Sequence, residues 1–286
     1  MAIVNNNYPN QNELSDAELK QLAIQNMQRQ EAQNSKFPTE IIELPSKGLL
    51  YSADSALASG KVEMKYMTAK EEDILTSSSL IKQGVVLDRL FQSLIVSPIN
   101  YDELLVGDKN AIMIAARILG YGKDYEVEIT DPFSQDDKQK VVIDLTGIQA
   151  KPYDYDSLTP HQNEFTLTLP VSKRVVTFQL MTHGLDKKVR DAVKGQLKMT
   201  KLTGIDKELT TRMKYLLTSV DGNKEQQYIS NFVDNELFAQ DSRFIRDEIK
   251  RLTPDLDMTF VFTSNQTGES QVMEVPMDVS FFWPKS

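Results

Sequence analysis

The chain has 286 residues, 40% of them hydrophobic, enough to fill the core of one large domain or of two ordinary ones. It has no cysteine, which excludes disulfide staples, thiolate metal sites and cysteine nucleophiles. A formal net charge of -9 repels a phosphate backbone, so nucleic acid is not an expected partner.

The polar, Asn-rich start from Met1 to Asn12 lacks the basic and apolar regions of a signal peptide, and no apolar run approaches the roughly 20 residues of a membrane span. A soluble, untargeted chain without a membrane partner is expected. Residues 1–39 read as a polar arm, mostly disordered or helical, with one short helix. Ser15 and Glu18 form a capping box, in which hydroxyl and carboxylate satisfy free amides at the helix start. Leu19, Leu22, Ala23 and Met27 follow as a narrow apolar stripe. Such a stripe is too thin to stand alone, so Leu19 and Leu22 are candidate partner-binding residues.

Residues 40–148 read as a first α+β half. Ile41, Ile42 and Leu44 lead into the turn signal Pro45-Ser46-Lys47-Gly48, and Val62, Met64 and Tyr66 alternate as a half-buried strand. Thr68 and Glu71 form a second capping box, followed by apolar residues at helical spacing from Ile74 to Ile95, which predicts several short helices. Asp108 is the expected cap of a helix through Ile112, Ala115, Ala116 and Leu119, with Gly120 as its stop. Tyr125, Val127 and Ile129 then alternate against Val141, Ile143 and Leu145, the pattern of a hairpin.

Residues 149–164, with Pro152 and Pro160, read as an exposed linker, and 165–286 as a second α+β half. Leu169-Pro170-Val171-Ser172-Lys173 echoes Leu44-Pro45-Ser46-Lys47, and Met181-Thr182 echoes Met67-Thr68 as the end of a strand. Aligning Glu103 to Thr130 with Glu236 to Thr263 without a gap pairs Glu103 with Glu236, Leu104 with Leu237, Asp108 with Asp241, Ile112 with Ile245, Leu119 with Leu252, Asp124 with Asp257 and Thr130 with Thr263. Ordinary composition gives about two identities over such a length. An internal duplication is therefore expected, each half holding a strand pair, several short helices and a β-hairpin.

Chemistry is sparse. The two histidines, His161 and His183, stand at no metal-ligand spacing, and no nucleophile elbow, phosphate loop or dinucleotide fingerprint occurs. Asp131, Asp136 and Asp137 lack the glycine and terminal glutamate of a calcium loop and read as a hairpin tip. Asp221-Gly222-Asn223 is a turn signal. Lys187, Lys188, Arg190, Lys194, Lys198 and Lys201 are the only basic concentration and read as a solvated helix face. No catalytic residue, cofactor, metal site or small-molecule ligand is expected.

The C-terminus gathers Val279, Phe281, Phe282 and Trp283 beside Pro284. Strand alternation would put Phe281 and Trp283 into the core of the second half and Phe282 on the opposite face. Phe282 and Trp283 are the other candidate partner-binding residues, because interface cores favour large aromatics.

The runs Ile42-Glu43-Leu44-Pro45-Ser46-Lys47-Gly48-Leu49-Leu50-Tyr51 and Met64-Lys65-Tyr66-Met67-Thr68-Ala69-Lys70-Glu71-Glu72-Asp73-Ile74-Leu75 resemble the baseplate-protein family of T-even-like phages. So do Gly107-Asp108-Lys109-Asn110-Ala111-Ile112, Ala116-Arg117-Ile118-Leu119-Gly120-Tyr121-Gly122 and Phe281-Phe282-Trp283-Pro284, which together span residue 40 to the end. The resemblance implies a non-enzymatic role in assembling the baseplate hub of a contractile tail, as a hub subunit or an assembly factor. Its partners would be other baseplate or hub proteins and the tape-measure protein. It would act in the host cytoplasm during assembly and, if retained, in the tail baseplate of the virion. Two alternatives are a tape-measure or tail assembly chaperone and a peptidoglycan-degrading tail enzyme, which would need two carboxylates across a cleft, one with a raised pKa.

Overall fold

The computed structural model describes residues 37–134, 137–204, 207–277 and 281–283. The expected capping box at Ser15 and Glu18, and the stripe with Leu19 and Leu22, lie outside the described residues. The fold is mixed α+β, with eight α-helices and four small antiparallel sheets among the described residues. No helix there is long and apolar enough to cross a membrane.

The first half opens with β1 (Thr39–Glu43) paired to β2 (Lys61–Lys65), and alternation buries Val62 and Met64. Helix α1 (Ala69–Thr76) starts at the expected capping box, where the Thr68 amide and hydroxyl donate to Glu71 at 3.0 and 2.6 Å. Burial alone would raise the pKa of Glu71, but donors from Thr68, Lys65 and Ser93 hold it below the ordinary carboxylate value. Helices α2 (Ser78–Gln83) and α3 (Val86–Leu94) follow, and α3 buries Val86, Leu90, Phe91 and Leu94 along one face. The long helix α4 (Val106–Tyr121) leads into the hairpin of β3 (Asp124–Thr130) and β4 (Lys138–Asp144), in the register the alternation implies, Tyr125 opposite Ile143 and Val127 opposite Val141.

Two details of α4 differ from the sequence expectation. Asp108 lies within the first turn instead of capping it, because its carboxylate is engaged outside the helix by the loop between β1 and β2. The helix runs past Gly120 and stops at Gly122, whose φ of 84° supplies the left-handed turn.

The second half begins with β5 (Phe165–Thr168) and β6 (Val175–Phe178), followed by α5 (His183–Thr203) and α6 (Glu208–Leu216). An unexpected third strand, β7 (Leu217–Val220), pairs with β6. The Thr177 hydroxyl lies 2.7 and 2.6 Å from those of Thr218 and Ser219 and ties the strands side by side. In the first half the same edge of its sheet carries only a single bridge, Met64 to Ile95. Thr182 likewise ends no strand; it makes an isolated bridge with Leu105, and its hydroxyl accepts from the Leu185 amide at 3.2 Å. Helices α7 (Gln226–Asn231) and α8 (Ala239–Leu252) then precede the hairpin of β8 (Thr259–Thr263) and β9 (Ser270–Glu274).

Both halves run from a strand pair through helices to a hairpin, with β7 interrupting the helices of the second half alone, and Thr130 and Thr263 each end the first strand of a hairpin. A polar junction is common to both. Asp108 accepts from the Ser46 amide at 2.9 Å, from the Ser46 hydroxyl at 2.6 Å and from the Tyr51 hydroxyl at 2.5 Å. Asp241, its partner in the alignment, accepts from the Val171 and Ser172 amides at 2.8 and 3.0 Å. In both halves the following lysine, Lys47 or Lys173, has a positive φ, 51° and 59°.

The halves share one contiguous hydrophobic cluster. The hairpins touch at their tips, where the Ser264 hydroxyl donates to Asp131 at 2.5 Å and Gln139 exchanges bonds with Thr263 and Asn265. Asp131 is therefore a buried strut and not part of an exposed acidic tip, while Asp136 lies outside the described residues. Gly107 lets the chain after α8 cross α4, since a Cβ there would lie 1.8 Å from the Pro254 carbonyl oxygen. The segment 149–164 is mostly exposed, as expected, but is anchored by the Tyr153 hydroxyl on the Leu252 carbonyl at 2.7 Å and by that of Tyr155 on the Pro45 carbonyl at 2.8 Å.

These junctions predict unequal costs. Asp108→Ala orphans three buried donors and should destabilise the protein by about 3 kcal/mol or more, while Asp241→Ala orphans two amides and should cost about 2 kcal/mol. Urea titration measures both. The two carboxylates also have opposite pH signatures. Burial raises the pKa of Asp108, so its contribution is full below the unfolded pKa and is lost as pH rises through the folded one. The bonded amides depress that of Asp241 against the effect of burial, so its contribution exists above the unfolded pKa and is lost on acidification. Asp241→Asn should accordingly flatten the acid limb of the stability curve.

Candidate functional site

A polar concavity lies where the halves meet, between α3, the one-turn helix Tyr101–Glu103 and α5, with a volume of about 510 Å³. It continues past Asp102 and Lys187 into a second hollow of about 570 Å³. Two contacts place α5 there. The Leu105–Thr182 bridge aligns the strand-like ends, and the His183 amide donates to the Leu104 carbonyl at 2.7 Å. Gly184 allows the approach, because a Cβ at that position would meet Asp102 at 3.0 Å.

At the floor sits a charged cluster. Lys109 donates to Asp88 at 2.5 Å, and the Tyr101 hydroxyl donates to the same oxygen at 3.2 Å. Lys109 also lies 3.3 Å from Nδ1 of His183. An ammonium has only protons to offer, so Nδ1 accepts and the imidazole proton sits on Nε2, 4.0 Å from Asp102. His183 is buried, and its ring meets Tyr101 edge-on with centroids 4.6 Å apart. Burial depresses its pKa, and Lys109 reinforces that against the pull of Asp88 and Asp102. Asp88 is held below the ordinary carboxylate value, its burial outweighed by Lys109.

The rim is mixed in charge, with the cations Arg89, Lys187, Arg190 and Lys194 outnumbering the carboxylates Asp102 and Asp191. Arg89 on α3 faces Lys187, Arg190 and Lys194 on α5, residues spaced to share one helix face. Arg190 pairs with Asp186 at 3.3 Å, whereas Arg89, Lys187 and Lys194 form no ion pair among the described residues. In a chain with an excess of carboxylates, such cations around a cleft mark a surface suited to anionic groups of a partner. Lys187, Lys188, Arg190 and Lys194 on α5 are exposed, as the sequence implies, and Lys187, Arg190 and Lys194 also line one wall of this cleft. Arg89, Tyr101 and Asp102 were not legible as part of it, because only the docking of the two halves brings them to α5.

The C-terminal aromatics are placed otherwise than strand alternation implies. Residues 281–283 form a turn, not a strand, and they close over the first half instead of the second. Phe281 meets Tyr125 edge-on at 5.0 Å, Phe282 packs on Phe91 at 5.9 Å, and the Trp283 indole donates to the Leu75 carbonyl at 3.1 Å. The Tyr125 hydroxyl fixes the approach by donating to the Pro276 carbonyl at 2.9 Å. Phe282 is buried and offers no surface to a partner, and Trp283 is half-buried. Of the four residues named as partner-binding, Leu19 and Leu22 lie outside the described residues and only Trp283 keeps exposed area. Among the described residues no group of three or more His, Asp or Glu side chains could hold a metal ion.

Phe282→Ala should destabilise the protein by about 3 to 5 kcal/mol, the usual cost of deleting a buried large aromatic. The emission of Trp283, the only tryptophan, should report the same closure. It should be blue-shifted in the folded protein and move to the red in Phe282→Ala, which steady-state fluorescence reads directly. No protein-family model, curated protein or solved structure matches the chain.

Proposed function

We propose that the chain is a non-enzymatic protein of contractile phage tail baseplate hub assembly, acting through protein–protein contacts as a hub subunit or assembly factor. One observation carries the reading: the stretches that resemble T-even-like baseplate proteins converge on the frame. Ser46 and Tyr51 from the first stretch meet Asp108 from the third, Thr68 and Glu71 from the second cap α1, and Phe281 to Trp283 from the last close over α1 and α3. The signature residues support a scaffold whose product is its surface.

The cleft supports the same reading over that of a tail enzyme. A glycosidase acid needs a carboxyl with a raised pKa facing substrate. In this cleft the carboxylate with a perturbed pKa, Asp88, is depressed. Asp108, whose pKa is raised, is sealed behind Ser46 and Tyr51. The cations Arg89, Lys187 and Lys194, without an ion pair among the described residues, instead suit acidic segments of neighbouring hub or tape-measure proteins. We further propose that the two halves descend from one duplicated unit, on the strength of the recurring element order and the paired Asp108 and Asp241 junctions.

Introducing a stop codon into the gene in a producing phage tests the role. Particles should lack finished baseplates and tails by electron microscopy, and supplying the protein in trans should restore them. Restoration by a Lys187→Glu, Lys194→Glu variant should be impaired although the variant folds. Normal tails without the protein would refute the proposal. Mass spectrometry of purified virions then separates a retained subunit from a departing factor.

A further inference from the structure

A second surface lies on the opposite side of α4. Residues Glu40 to Glu43 of β1, the 145–148 segment and α4 enclose a groove of about 420 Å³. Its floor is apolar, built from Ala111, Ile114, Ala115 and Ile118, which fall on one face of α4. Ile41 overhangs it and is 65% exposed.

The shared pattern of the two halves does not demand this floor. In the ungapped alignment the places of Ile114, Ala115 and Ile118 are taken on α8 by Asp247, Glu248 and Arg251. There Arg243 pairs with Asp247 at 3.7 Å and Arg251 with Glu248 at 2.7 Å, the solvated face such a helix would ordinarily show. The first half has an apolar channel where the second has a charged surface.

The backbone states what shape of chain fits. In the β1–β2 ladder the Leu44 amide donates to Gly60 and the Tyr66 amide to Pro38, so the even-numbered residues of β1 face β2. Thr39, Ile41 and Glu43 therefore turn their N–H and C=O groups away from β2, along the side bordering the groove. Among the described residues these groups have no backbone partner, and such an edge is completed by another extended chain. Charge selects among such chains. Glu40, which accepts from the Tyr66 hydroxyl at 3.1 Å, and Glu43, which pairs with Lys61 at 3.4 Å across the exposed strand pair, keep exposed carboxylates at the rim, and the net charge of -9 adds a long-range preference for cations.

We infer that this groove binds an extended segment of a partner protein, added as a strand to the free edge of β1, with apolar side chains on alternate positions and lysine or arginine flanking them. The alternate residues fill the channel over α4, and the flanking cations pair with Glu40 and Glu43. This surface is independent of the cation-rich cleft, and the two would recruit partners of opposite charge.

The test uses the full chain and a fluorescent nine-residue peptide of alternating valine and threonine with two lysines at each end. Anisotropy should show saturable binding that weakens by about tenfold or more with Ile41→Lys, and likewise with Glu40→Lys combined with Glu43→Lys. These residues are exposed, so far-UV circular dichroism should be unchanged. N-methylating the peptide along one edge should abolish binding, as strand addition requires. No binding, or equal binding of a peptide with glutamates in place of the lysines, would overturn the inference. Self-association of the chain that Ile41→Lys abolishes would also overturn it, by making the occupant a second copy.

Discussion

A carboxylate with no cation among its partners, Asp108, holds the centre of the molecule together. Its three donors come from the loop between β1 and β2, and the third, Tyr51, also accepts from the Leu105 amide at 2.9 Å. A buried carboxylate is costly unless its lone pairs are satisfied, and that cost makes the geometry obligatory. The loop can adopt this path only with α4 in place, and α4 is located by the loop. The connection to the second half is fastened to the same loop, through Tyr155 on the Pro45 carbonyl, the Lys47 ammonium over the Tyr155 ring at 3.8 Å, and the His161 amide on the Leu49 carbonyl at 2.6 Å. Asp241 repeats the device with two amides, and its bonds outweigh burial where those of Asp108 do not.

From this junction the rest follows by packing. The C-terminal segment crosses back to cover α3 with Phe282, so the last described residues complete the first half's core. Hairpin tips, linker and aromatic closure each join residues distant in sequence, and they leave two concave surfaces of opposite character. One carries an excess of cations and lies where α5 meets α3; the other is apolar, acid-rimmed and bordered by a strand edge open among the described residues. Two such surfaces would suit partners of opposite charge, in keeping with the proposed role in assembly.

Local patterns were readable in the sequence where one principle dominated. The Thr68–Glu71 capping box, the β3–β4 register and the Asp221-Gly222 turn follow from spacing and turn chemistry alone. Features decided by distant contacts have no such local signal. Asp108 has a capping residue's sequence context, yet Ser46 and Tyr51 compete for it from more than 50 residues away. Strand β7 hides in an apolar run continuous with α6 and is drawn out by the exposed edge of β6. Phe281 to Trp283 carry an alternating pattern at the end of the chain, but three aromatic rings gain more from the Tyr125 and Phe91 cavity than from a strand. The cation-rich cleft was half legible: its α5 wall was visible as a basic stripe, and its α3 wall exists only through the docking of the halves.

One frame, keyed by Asp108, unites both halves. Differential scanning calorimetry of the intact chain tests it most directly. The molecule should melt in a single transition in which the calorimetric and van't Hoff enthalpies agree, as one cooperative unit requires. Two separable transitions, one persisting after the other half has melted, would contradict it.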